Sequence, residues 1–134
     1  MLATNFLFSS SHVLFGKLRP NLNKVVKPYF NGLCTTEILP LLPDNKIINK
    51  YYLWAFLLSN NFVNWAKRNV SGAQLPRLDP KILADYILPV PNLKDQKEFE
   101  KIVVQYEKNN RLLIEAERQA EQLFQGMLRE AFEQ

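Results

Sequence analysis

Histidine, cysteine and glycine are scarce in this chain, and each scarcity closes off a chemistry. The 134 residues hold one histidine, His12, and one cysteine, Cys34. A Cys/His metal site needs several such ligands and is not available. A single cysteine forms no intrachain disulfide, which points to a reducing, cytoplasmic setting. Cys34 sits on an expected strand and reads as a core thiol rather than a nucleophile. Four glycines supply no glycine-rich phosphate loop. The longest apolar run, residues 51–58, is far short of a bilayer span, so no membrane partner is expected. The start of the chain has neither a charged n-region nor a small-residue cleavage site, so a secretory leader is not expected.

Acidic residues are also scarce, but only in one part. Residues 1–92 carry ten lysines and arginines against Glu37, Asp44, Asp79 and Asp85, a balance of +6. Residues 93–134 carry seven basic against nine acidic residues, a balance of −2. The few carboxylates before residue 93 show no paired spacing for acid–base work. A block this basic fits a polyanion partner, most often nucleic acid, or else an ordinary solvated surface.

What is abundant is heptad order at the end. Phe99, Tyr106, Leu113, Ala120 and Met127 recur at one heptad position. Ile102, Asn109, Ala116 and Leu123 recur at the other, the pattern of a coiled-coil seam. Val103, Phe124 and Ala131 widen the face, as does Leu112. A helix over residues 93–134 would be roughly 60 Å long and cannot cover this stripe on itself. It needs a partner helix. Asn109 either fixes the register of that pairing or marks where the stripe drifts.

Ahead of the helix the pattern is mixed. Residues 1–11 show no clear period. Residues 12–18 predict a strand, Pro20 a turn, and residues 24–29 a second strand. Asn31-Gly32 is a hairpin signal, and residues 33–42 read as a third strand limited by Pro40 and Pro43. Helical spacing runs from residue 48 to 59 and again to 68, with a break at Asn60-Asn61. Residues 70–78 form a loop. Asp79 caps a short helix with Pro80 at its first position. Residues 86–90 predict a last strand between helices. Asn92 caps the long helix, with Asp95 three residues on.

Two polar clusters stand out. One is Lys17, Arg19, Asn21, Asn23, Lys24 and Lys27, on or beside the first turn. The other is Lys67, Arg68, Asn69, Ser71, Gln74 and Arg77, around the loop after the second helix. These residue types read base edges in the major groove and also contact phosphates. They equally suit a pair of polar loops.

Several blocks resemble the specificity subunits of type I restriction-modification systems. They are V-L-F-G-K-L-R-P-N-L-N-K-V from Val13, C-T-T-E-I-L-P-L from Cys34, S-G-A-Q-L-P-R-L from Ser71 and I-L-P-V-P-N-L-K-D-Q from Ile87. The last, opening a long helix, is the most specific. The resemblance implies a target recognition domain over 1–92 and a spacer and dimerisation helix over 93–134. It implies recognition of one half of a bipartite double-stranded DNA site, without catalysis or cofactor in this chain. Methyltransferase subunits using S-adenosylmethionine and restriction (translocase-nuclease) subunits would be partners. The family has two such halves packed through antiparallel helices. This chain shows one, so a homodimer or pairing with another specificity half is expected. Several tens of residues usually precede the block at Val13, which implies an N-terminally incomplete domain.

The reading is therefore α+β: a small irregular β-sheet domain with two or three helices, then a long C-terminal helix forming a coiled coil with a partner. Expected DNA contacts are Lys17, Arg19, Asn21, Asn23, Lys24, Lys67, Arg68, Ser71, Gln74 and Arg77. The expected seam is Phe99, Ile102, Tyr106, Asn109, Leu113, Ala116, Ala120, Leu123 and Met127. The competing reading is a coiled-coil interaction module or truncated remnant without DNA binding. A small nuclease would need a metal-binding carboxylate cluster, which the sequence does not offer.

Overall fold

A computed structural model describes residues 5–20, 24–72 and 74–133. The chain divides into two compact units, residues 1–99 and 100–134.

The first unit is α+β. Its strands are β1 (Asn5–Phe8), β2 (Val13–Gly16), β3 (Val25–Val26), β4 (Gly32–Thr35) and β5 (Ile38–Leu41). They form two antiparallel sheets, β1-β4 and β3-β2-β5. Helices α1 (Lys50–Leu57), α2 (Asn60–Arg68) and α3 (Pro80–Ala84) follow, and α4 (Leu93–Phe132) starts in this unit and makes up most of the second.

The core is set by alternation on β2 and by the inward faces of α1 and α2. Val13 and Phe15 are buried on β2, with Val25 beside them on β3. Leu53 and Leu57 on α1 and Phe62 and Ala66 on α2 close over them, with Leu78 at 0% exposure. Each of the larger side chains contributes about 1.5–3 kcal/mol by leaving water. Phe15 meets Phe62 edge-on at 5.8 Å, and the Tyr86 ring lies tilted 4.5 Å from Trp65.

Capping explains where the helices begin. Asn49 accepts from the Tyr52 N–H, Ser59 from the Phe62 N–H and Asp79 from the Lys81 N–H. The break between α1 and α2 thus falls at Leu58-Ser59, two residues ahead of Asn60-Asn61. Asn92 accepts from the Asp95 N–H at 2.9 Å, as its place before the long helix requires.

Four expectations need correction. Residues 5–8, which show no period, form β1, because pairing with β4 supplies order that the local pattern lacks. Asn31-Gly32 is not a hairpin turn: Gly32 opens β4 opposite Phe8, whose ring would lie 2.9 Å from a Cβ there. Residues 33–42 are not one strand. A turn at Thr36-Glu37 sends β4 to β1 and β5 to β2. Residues 86–90 are not a strand. Pro89 has no N–H to give a ladder, its carbonyl accepts from the Tyr52 hydroxyl, and Tyr86 packs into the aromatic core.

Candidate nucleic-acid interface

The residues after β2 and those after α2 come together through their backbones. The Leu78 N–H donates to the Lys17 carbonyl at 3.0 Å, and the Arg19 N–H donates to the Pro76 carbonyl at 2.7 Å. Leu18 lies antiparallel to Arg77, and Arg77 antiparallel to Ser71. The Ser71 and Arg77 amides and carbonyls bond each other reciprocally at 2.9 and 3.0 Å.

Local chemistry makes this return possible. Gly72 has φ +98°, and a Cβ there would lie 3.0 Å from the Leu75 carbonyl oxygen. Only glycine takes that turn without strain. Leu78 then anchors the loop in the core. Arg19 has φ +50°, a left-handed conformation that costs a non-glycine residue roughly 1–2 kcal/mol. The bond to Pro76 holds it there.

Two sequence-distant clusters are therefore one surface. Arg19, Ser71, Gln74 and Arg77 are exposed on it, and Lys17 is half-buried. Lys67 and Arg68 are exposed in the last turn of α2, three or four residues before Ser71. Their charges also suit the negative end of that helix. Asn69 closes the turn by donating from Nδ2 to the Trp65 carbonyl at 2.8 Å. Lys24 is exposed, and its carbonyl accepts the Gly16 N–H at 2.9 Å, next to Lys17. Asn21 and Asn23 lie outside the described residues.

Lys27 does not belong to the surface. It is 7% exposed, with Nζ 3.6 Å from the centre of the Trp54 ring. Cation–π attraction and its buried stem hold it in the protein.

Glu37 was not among the sequence candidates and sits in the middle of the site. Its carboxylate accepts from Arg77 Nε at 3.0 Å and lies 2.9 Å from Arg77 Nη2. Its carbonyl accepts the Lys17 N–H at 2.9 Å. The Arg77 hydrogen bond, outweighing a little desolvation, holds the Glu37 carboxyl below its ordinary value, with the charges of Arg77 and Lys17 adding to it. The only sequence signal was that acids are rare in this block; a partner forty residues away leaves no periodicity.

Seam positions on the second unit are open. Ile102, Tyr106, Leu113, Leu123 and Met127 are all more than half exposed, and Asn109, Ala116 and Ala120 are exposed too. Asn109 accepts from Gln105 Nε2 at 2.9 Å. Phe99, in the first unit, is half-buried beside Tyr52, Ala55 and Phe56 of α1.

Elsewhere the chemistry is apolar. A concavity of about 450 Å³ has Leu39, Leu41, Ile48, Phe56, Leu83 and Leu88 in its wall and Asp44 as its one charged residue. Among the described residues no group of three or more His, Cys, Asp or Glu side chains could hold a metal ion. No helix there is long and apolar enough to cross a membrane.

Fold and surface together define a small α+β unit with two basic loops locked edge to edge, continued into a long helix with an apolar stripe. The chain belongs to the type I restriction modification DNA specificity domain family, whose model matches residues 5–122. It is 32% identical over 98 residues to the type I restriction enzyme EcoDI specificity subunit of Escherichia coli. That alignment covers 73% of this chain and 21% of the relative, so the chain spans about a fifth of that protein's length.

Proposed function

We propose that this chain recognises DNA sequence as a half-sized specificity subunit of a type I restriction-modification system. The observation that carries the reading is the joining of the Lys17–Arg19 and Ser71–Arg77 loops by backbone hydrogen bonds into one basic surface. Lysines and arginines there would take up phosphates and set the register, while Gln74 and an arginine would reach base edges. In this reading the chain is not itself an enzyme, the setting is the cytoplasm, and S-adenosylmethionine belongs to a methyltransferase partner. Restriction subunits would dock on the same assembly. The stripe of α4 would pair with a second copy or with another specificity half, and a symmetric pair would read a palindromic interrupted site.

The open stripe also favours a second reading, a helix-mediated interaction module with no DNA contact of its own. A gel shift of the full chain on a random duplex pool, alone and with the methyltransferase subunit of the same system, separates the two. Salt-sensitive retardation is expected. No retardation at low salt under either condition would leave only the interaction module.

A further inference from the structure

Arg77 is held through both its backbone and its side chain. Its N–H and carbonyl are both engaged with Ser71, which fixes its Cα. Its side chain is then gripped by Glu37 from the side, through Nε and Nη2. A guanidinium has five N–H donors in a planar fork. The sideways grip uses Nε–H and one N–H of Nη2. Glu37 leaves both N–H groups of Nη1 and the second of Nη2 unused, and one from each nitrogen forms the end-on pair that suits two acceptors side by side.

The charge around the fork decides which acceptors those are. The Glu37 carboxylate offsets the Arg77 charge and repels a phosphate brought to the same place. It repels the uncharged edge of a base far less. Guanine presents N7 and O6 together in the major groove, the pairing that an arginine fork fits. Among the described residues Arg19, Lys67 and Arg68 carry no such ion pair, and they suit phosphates instead.

Resting on the DNA-recognition reading above, we infer that Arg77 is a specificity-determining residue that reads one guanine through its end-on fork, and that Glu37 is the positioning residue that orients it. A good bidentate pair discriminates by about 1–3 kcal/mol, roughly a 5- to 150-fold preference for guanine at one position.

The test is selection from a randomised duplex library by the full chain with its methyltransferase subunit, for wild type, Glu37→Gln and Arg77→Lys. Affinity for a scrambled duplex is measured alongside. Both side chains of the ion pair are about half exposed, so neither substitution should cost much stability, and thermal melts check this. Wild type should enrich a site with one guanine that both variants cease to select. Scrambled-duplex affinity should stay level in Arg77→Lys and rise in Glu37→Gln, because an anion has left the surface. A merely structural pair would lower both readouts together. If Glu37→Gln melts early, Arg77→Lys decides alone. An enriched site that neither variant changes overturns this inference and leaves the DNA-recognition reading standing. A wild type that enriches nothing and binds no duplex overturns both.

Discussion

Gln96 and Asn49, forty-seven residues apart, tie the start of α4 to the start of α1. The Asn49 N–H donates to Gln96 Oε1 at 2.8 Å, and Asn49 Nδ2 donates to the Gln96 carbonyl at 3.2 Å. Gln96 Nε2 donates to the Ile47 and Pro91 carbonyls at 3.0 and 2.8 Å. The glutamine is 1% exposed, and every hydrogen-bonding group of its side chain is used. The same Asn49 caps α1 through its side-chain oxygen. One buried amide thus ties together the starts of two helices that Asn49 and Asn92 cap.

Removing that amide should be costly. Gln96→Ala leaves the Asn49 amide and two carbonyls without a protein partner, and we expect a loss of about 3 kcal/mol. Gln96→Glu cannot donate to the two carbonyls and buries a charge, so its loss should be at least as large. Both tryptophans lie in the first unit, so urea unfolding followed by tryptophan fluorescence reports on it. A change within experimental error for both variants would remove Gln96 from this role.

Position on the surface predicts which lysines matter for DNA. Replacing Lys67 and Arg68 together with alanine should lower the slope of log affinity against log salt by about 2. Lys27→Met should leave that slope unchanged, because Lys27 Nζ faces Trp54. Fluorescence anisotropy across a salt series checks both. An equal effect from Lys27→Met would mean that the site has been misplaced.

The loop return depends on a single glycine. Gly72→Ala puts a Cβ 3.0 Å from the Leu75 carbonyl oxygen at a φ that L residues rarely adopt. We expect a loss of about 1 kcal/mol or more, with DNA affinity falling because Arg77 is no longer held against Ser71. Unfolding curves and duplex titration measure the two effects separately. Wild-type stability and affinity together would show that the turn tolerates a side chain.

Acid should release Glu37 from Arg77. The folded carboxyl is held below the ordinary glutamate value of 4.5, so the pair's contribution is complete above that value and is lost as pH falls through the folded one. Wild type and Glu37→Gln should therefore differ most near neutrality and converge in acid. Urea midpoints of the two proteins along a pH series give the comparison, and a gap that widens in acid would contradict it.

Charge placed in the stripe should abolish pairing. Leu113 and Leu123 are 58% and 67% exposed on α4. Wild type should sediment as a concentration-dependent dimer, and the double replacement by glutamate as a monomer. A wild type that stays monomeric at high concentration would refute helix pairing between copies.

The sequence by itself determined what local physics controls. Caps at Asp79 and Asn92 were readable because a side chain bonds backbone two or three residues away. The stripe of α4 was readable because helical period depends on spacing alone. So were the basic balance of residues 1–92 and the blocks that place the chain in its family. Tertiary structure decided what depends on distant partners. Strand β1 exists because β4 pairs with it, and residues 86–90 stay out of a sheet because Pro89 has no N–H to give and its carbonyl is taken by the Tyr52 hydroxyl. Lys17 and Arg77 could be named as basic residues, but only closure of the loops put them on one surface. Lys27 was drawn inward by an aromatic ring on α1, and Glu37 was drawn to Arg77. Hydrogen bonds and ion pairs across forty or more residues leave no trace in local pattern, because their energy appears only once the chain has already brought the partners together.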